Sequence, residues 1–351
     1  MSQRTLAGVL AVPLIVALWL AAVFTPLPYV TYEPGLTVNV LGESDGHEIV
    51  QVSGAKTYRD DGQLRLTTVY VSRPQATVNL FEVLAAWADP DDAVLPYDSV
   101  YSPDQTREES KIEGAVQMVS SQDTAIATAL TELGYEVSPV VEVLSVSEGL
   151  PADGKLEVRD QLVEVAGRPI ADADDVVAAV DAAPAGQPLE FVVQRDGKRL
   201  TTQVTPTLVD GDKRVGITPG VGYDFPFDVS VSLDSSIGGP SAGLLFALSV
   251  YDTLTPGSLT GGNIVAGTGT LDAEGKVGPI GGVAQKIAAA READAGLFLV
   301  PAANCDEAVD AENGDMRLVR VETMKSALEA VQDWAADQQV ELPSCERNST
   351  S

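Results

Sequence analysis

Apolar and polar positions divide the chain into regimes with different periods. Residues 6–24 form a run of 19 positions without a charged side chain, and Arg4 precedes it. At about 1.5 Å per residue such a helix nearly crosses a hydrocarbon core about 30 Å thick. A signal-peptide apolar region is usually shorter, about 7–15 residues. An uncleaved single-pass transmembrane anchor is therefore expected, with a cleaved signal as the alternative. With Arg4 inside, the bulk of the chain lies outside the cytoplasmic membrane.

Beyond this run the alternation shortens. Residues 37–41, 48–52 and 64–71 read as strands, punctuated by Glu43-Ser44-Asp45-Gly46 and Asp60-Asp61-Gly62. Residues 80–88 and 115–133 have helical spacing, and the polar stretch 89–113 between them reads as loop. A strand at 140–146, a turn over 148–154, a helix over 172–183 with acidic residues at its N-terminal end, and strands at 189–195 and 201–205 follow. Residues 227–233 read as a strand, 242–250 as a buried helix, 283–293 as a helix and 296–301 as a buried strand. The sum is an α+β chain.

Charge narrows the partners. Twenty-two Lys and Arg against 51 Asp and Glu give a net charge of −29, which sets the chain against nucleic acid. Solubility, or attraction of cationic peptides, accounts for the excess. The cysteines are Cys305 and Cys345 alone. Outside the cytoplasm an even pair suggests a disulfide, two free thiols being the alternative.

The candidate chemistry centres on two residues. Ser241 follows Gly238-Gly239-Pro240 and opens the apolar run 242–250, which places it at a helix N-terminus, where unpaired N–H groups favour an oxyanion. A plain capping serine is the alternative. Lys286 shares the apolar face of its helix with Val283, Ile287 and Ala290. Burial lowers a lysine pKa by up to about 3–5 units from about 10.4, which turns the amine into a base near neutrality. A lysine snorkelling at the helix edge is the alternative. The chain has one histidine, His47, in a polar run, so lysine is the best base available to a serine nucleophile.

These motifs resemble the proteolytic domain of Lon-type serine proteases over residues 238–301. Gly239-Pro240-Ser241-Ala242-Gly243 is similar to the family's nucleophile motif, Thr268-Gly269 to its Thr-Gly pair, and Pro279-Ile280-Gly281-Gly282 leads to Lys286. The resemblance implies Ser241 as nucleophile, Lys286 as general base, Thr268 as the residue that orients it, and the backbone around Gly239, Pro240 and Ala242 as the oxyanion loop. Lys286 comes 45 positions after Ser241, a slightly longer interval than in Lon, and Thr270 stands where Lon usually has Glu. No cofactor and no metal are implied.

Residues 138–208 resemble a PDZ domain of the bacterial protease type, which implies a peptide added as a strand between residues 140–146 and the helix from Asp172. Gly149-x4-Gly154-Lys155 mimics a phosphate-binding loop, but Leu156 replaces the Ser or Thr that binds Mg²⁺. With no other such loop, the reading is a peptidase without the ATPase of Lon.

The expected organisation is an anchor over 1–28, a β-rich region over 29–137, the PDZ domain over 138–208, a Lon-like domain over 209–340 and a polar tail over 341–351. The 29–137 region is either the first half of the protease domain or an independent β domain. The Lon-like domain implies a mixed sheet with packed helices, and the PDZ domain a small barrel-like sandwich. The expected activity is an ATP-independent Ser-Lys endopeptidase acting on peptides or unfolded and flexible segments. By analogy with Lon, a homo-oligomer such as a hexamer is expected. The competing readings are a membrane-bound PDZ scaffold with an inactive Lon-like domain, and a protein that cleaves only its own membrane-proximal linker.

Overall fold

The structure, a computed structural model, describes residues 3–44, 46–76, 78–184, 186–209, 211–234 and 237–346, with the side chains of residues 3–8 excepted. In chain order its main elements are α1 (Gln3–Phe24), β1 (Tyr29–Asn39), β2 (Val50–Ser53), β3 (Gln63–Val71), α2 (Leu80–Ala88), β4 (Ala93–Pro96) and α3 (Arg107–Glu132). There follow β5 (Ser138–Val146), β6 (Gln161–Val165), α4 (Ala173–Ala182), β7 (Leu189–Arg195), β8 (Lys198–Val204), β9 (Ile217–Asp224) and β10 (Asp228–Val231). The last part holds α5 (Gly243–Leu254), β11 (Ile264–Gly267), α6 (Val283–Glu292), β12 (Leu297–Pro301), β13 (Arg317–Val321) and α7 (Met324–Ala336).

Two sheets organise these elements. The first has six strands in the order β13-β12-β11-β3-β1-β4. Its centre is the parallel pairing of β3 with β11, which puts strands from both sides of the chain's middle into one layer. Side chains explain why this layer closes. Leu64 and Leu66 of β3, Val265 of β11, Leu299 of β12, Leu244 and Leu248 of α5 and Trp334 of α7 share one core. A parallel strand needs cover on both faces, and α5 and α6 supply it.

The second sheet runs β8-β7-β6-β5-β9, with the short strand Arg168–Pro169 beside β6. Its core is separate, built on Val143, Val165, Val180, Phe191 and Val193. Strand β9 pairs with β5 from Ile217 to Asp224, so this sheet extends past residue 208, where the sequence reading ends the domain. The residues of β9, Ile-Thr-Pro-Gly-Val-Gly-Tyr-Asp, hide the strand, because Gly and Pro are poor strand formers. They are there for contact. A Cβ on Gly220 would strike Leu144, and one on Gly222 would strike the Glu142 carboxyl group.

Helix α3 joins the two units. Thr106 and Glu109 form a capping box at its start, and its C-terminal half is buried. From the second unit Arg159 donates to Asp123 (3.0 Å) and Gln122 (2.9 Å) of α3. Buried Glu142 also faces Asp123. Burial first, and then the neighbouring Asp123 carboxylate, push Glu142 up to about 9, so it is protonated at neutral pH.

The expected anchor is helical as α1. Its described apolar side chains are exposed apart from half-buried Ala22 and Val23, with Leu10, Leu14, Leu18 and Trp19 between 56% and 65% exposed. Among the described residues no helix is long and apolar enough to cross a membrane, and the start of the expected span, residues 6–8, lies outside the described side chains. Of the expected tail, residues 347–351 lie outside the described residues. Cys305 and Cys345 form a disulfide, which ties the segment after α7 to the start of a short helix, Cys305–Ala308.

The close approach of β9 to β5 gives a prediction. Gly222→Ala forces a methyl group against Glu142 and lowers the unfolding free energy by about 1–3 kcal/mol in chemical denaturation. Gly281→Ala, where an added Cβ meets nothing within 4 Å, changes it by about 0.5 kcal/mol or less.

Candidate active site

Ser241 sits just ahead of α5, which begins at Gly243. Its side chain does not cap the helix, whose first turn has no side-chain cap. The Thr268-Gly269 pair holds the serine by its backbone instead. Thr268 Oγ1 donates to Ser241 O at 3.0 Å, and Gly269 N donates to the same oxygen at 2.8 Å. Thr268 follows β11 directly, so the central strand of the first sheet delivers this clamp.

Lys286 arrives from the opposite side. Gly282 ends the preceding loop at φ +69°, a left-handed conformation that glycine adopts without strain. A side chain there would also press on Val69 and Tyr32, 3.0 and 3.1 Å from its Cβ. Helix α6 starts from this point and buries Val283, Ile287 and Ala290 completely. Lys286, on the same face, is 2% exposed. Its Nζ lies 2.7 Å from Ser241 Oγ and 3.0 Å from Thr268 Oγ1. Burial holds its pKa down to about 7. The single proton of Thr268 Oγ1 is directed to Ser241 O, so Thr268 presents a lone pair to the amine and fixes its direction.

A buried amine that is half neutral near pH 7, in contact with a hydroxyl, can withdraw a proton from it. His47 takes no part. It lies exposed in a two-residue strand paired with Ser44.

Sequence reasoning missed the contribution of α3. Ser121 Oγ donates to Pro240 O at 3.0 Å, and Gly114 O accepts from Gly239 N at 3.2 Å. The expected oxyanion loop thus has one N–H already engaged, and Pro240 has none to give. Gly114 acts through its carbonyl, and a Cβ there would meet only Gly238 and Gly239 at 4.0 Å, so nothing local in the sequence signals this contact. The cavity over Ser241 is about 160 Å³, lined by Leu36, Thr68, Tyr70, Met118, Gly239 and Lys286 among others.

A larger cavity, about 820 Å³, lies on the second unit between α4 and the start of β9. Val176 and Val180 of α4, Val215, Ile217 and Leu150 line it, and Ile112 and Val116 of α3 form its far wall. This corrects the expected groove. Strand β5 is flanked by β6 and β9, so its edges are taken, and β9 is the edge strand that faces α4. Lys213 fixes the end of α4 by donating to the carbonyls of Asp181 (2.7 Å) and Ala183 (2.6 Å).

Residues 235–332 match the model of the Lon protease (S16) C-terminal proteolytic domain, and residues 115–205 match the PDZ domain. The chain resembles a Lon-type protease that carries a PDZ domain. The Lon protease of Campylobacter jejuni is 27% identical over 149 residues, 39% of this chain and 19% of the relative. Lon protease 2 of Bacillus subtilis is 28% identical over 119 residues, 34% of this chain and 20% of the relative. The chain therefore spans about a fifth of the length of these relatives. Among solved structures, the PDZ domain of an SdrC-like protein from Listeria innocua is 25% identical, covering 22% of this chain and 90% of that one with a TM-score of 0.21. Together the domain matches and the Lon relatives support a protease, and serine type follows from the Lon family.

The depressed lysine has a consequence for stability. Unfolded, the amine regains an ordinary pKa, so between about 7 and 10.5 the unfolded chain binds more protons than the folded one. Burying Lys286 therefore costs most at and below pH 7, and the cost fades as pH rises towards 10.5. Lys286→Met is expected to raise the melting temperature at pH 6 and to lose that advantage progressively by pH 10, as calorimetry at a series of pH values would record.

Proposed function

We propose that this chain is an ATP-independent serine endopeptidase with a Ser-Lys dyad. It cleaves peptides or unfolded and flexible protein segments outside the cytoplasmic membrane, and α1 holds it there. The observation that carries this reading is the buried Lys286 amine, 2.7 Å from Ser241 Oγ and 3.0 Å from Thr268 Oγ1.

Neutral Lys286 takes the hydroxyl proton of Ser241 as Oγ bonds to the peptide carbonyl carbon. The resulting ammonium gives that proton to the departing amine as the C–N bond breaks, leaving an acyl-enzyme. Lys286, neutral again, takes a proton from water as the water oxygen bonds to the acyl carbon, and returns it to Ser241 Oγ as the ester C–O bond breaks. Thr268 keeps the amine aimed throughout. Gly239 N is bonded to Gly114 O, which leaves the N–H groups of Ser241 and Ala242 in that loop to meet the oxyanion.

The finer parts of the reading have their own support. Placement outside the cytoplasm is favoured by the Cys305–Cys345 disulfide and the net charge of −29. Anchoring is favoured by the bare apolar surface of α1. Independence from ATP is favoured by Leu156, which stands where a phosphate-binding loop needs the Ser or Thr that binds Mg²⁺. The PDZ-like groove recognises a peptide, as substrate or as regulator, and a ring of copies, six by analogy with Lon, belongs to the same proposal.

Single-turnover cleavage of an unfolded test protein by the full chain in detergent tests this reading. The rate is expected to rise with pH around an apparent pKa of about 7. Ser241→Ala and Lys286→Ala are each expected to remove it, by at least about 10³-fold. Cleavage that survives Ser241→Ala would contradict the reading.

A further inference from the structure

Helix α2 leaves its outer face bare. It turns Ala86 into the protein and Leu80, Phe81, Leu84 and Trp87 outward, with Trp87 79% exposed. Leu80, Leu84 and Trp87 stand at four- and three-residue offsets, with Phe81 beside them, so they form one stripe. Tyr29 and Leu95 add exposed apolar groups on β1 and β4, the strands that α2 packs against. A contiguous apolar surface of this kind marks a place of interaction.

The course of the chain shows what covers it. Only Thr25 and Pro26 separate α1 from Leu27, whose N–H donates to Val78 O at 2.8 Å. Val78 immediately precedes Asn79, the residue that caps α2. The end of α1 and the start of α2 are therefore stitched together. The described side chains of α1 are apolar and, apart from half-buried Ala22 and Val23, exposed, so the medium that receives them extends to α2 as well.

We propose that α2 lies in the boundary between headgroups and acyl chains of the bilayer that holds α1. Phe81, Leu84 and Trp87 enter it to a depth of about 5–10 Å. Trp and Tyr favour this boundary, where an apolar ring meets a polar layer. The charges nearest the stripe in sequence, Glu82, Asp89, Asp91 and Asp92, are acidic, so the face fits zwitterionic lipid and not an anionic surface. The seat also reaches the dyad. Asp91 pairs with Arg291, and Gln285 Nε2 donates to Asp91 O at 3.0 Å. Both partners lie on α6, the helix that carries Lys286. Docking α2 thus fixes the dyad relative to the bilayer, which favours substrates emerging from the membrane over chains free in solution. This inference rests on the anchoring proposed above and is independent of the protease reading.

Tryptophan fluorescence of the full chain in phosphatidylcholine vesicles tests it. The chain has three tryptophans, Trp19, Trp87 and the buried Trp334. The difference between Trp19→Phe and Trp19→Phe/Trp87→Phe isolates Trp87. Its emission is expected to be blue-shifted, largely lost to phosphatidylcholine brominated on the upper acyl carbons, and insensitive to iodide in the water. Quenching by iodide without quenching by bromolipid overturns the proposal. Shielding from both quenchers overturns it too, since protein, such as a second copy, would then cover the face. The Trp87→Phe variant reports on Trp19. If bromolipid quenches Trp19 and not Trp87, anchoring stands and the seat fails. If it quenches neither, anchoring fails as well.

Discussion

The candidate site depends on keeping one amine out of water. Lys286 is held in a face that otherwise carries Val283, Ile287 and Ala290, and no carboxylate is hydrogen-bonded to its Nζ among the described residues. An ion pair there would stabilise the charged form and raise its pKa. The two hydroxyl partners, Ser241 and Thr268, satisfy the amine without charging it. Desolvation of this kind is unfavourable for folding, and the packing of α6 through Val283, Ile287 and Ala290 against Phe298 and Val300 must help offset the cost. The left-handed Gly282, the clamp of Thr268 and Gly269 on Ser241 O, and the parallel β3–β11 pairing all serve to bring this amine to the hydroxyl.

Helix α3 gives the molecule its second constraint. Its N-terminal turns contribute Ile112 and Val116 to the groove against α4 and β9, and in the same turns Gly114 accepts the Gly239 N–H. About two turns beyond Gly114, Ser121 holds Pro240 O. Helix α3 thus touches both the groove on the second unit and the loop that carries Ser241, which links the two physically. The cavities differ accordingly, about 820 Å³ at the groove and about 160 Å³ over Ser241.

The sequence made the dyad legible because its signals are local. Gly-Pro-Ser before an apolar run, and a lysine within an apolar helical face, can each be read in a dozen residues. The pairing of β3 with β11 spans about 200 positions, and nothing in either strand names its partner. Strand β9 was hidden because Gly220 and Gly222 serve close packing at the expense of strand propensity. The groove was misplaced for the same reason, since without β9 the free edge falls to β5. The contributions of Gly114 and Ser121 were invisible because each acts through a backbone atom far away in the chain. Charge and the two cysteines spoke to environment, and the disulfide joins residues that composition alone left open as free thiols.

The central claim is that the Lys286 amine activates the Ser241 hydroxyl, and covalent labelling tests it most directly. The full chain would be treated with a fluorophosphonate from pH 5 to 10, and the adduct located and timed by mass spectrometry. The account predicts one adduct, on Ser241, forming at a rate that rises through an apparent pKa of about 7 and is lost in Lys286→Met. Labelling of Ser241 at an unchanged rate in Lys286→Met, or no adduct on Ser241 at any pH in the folded protein, would contradict it.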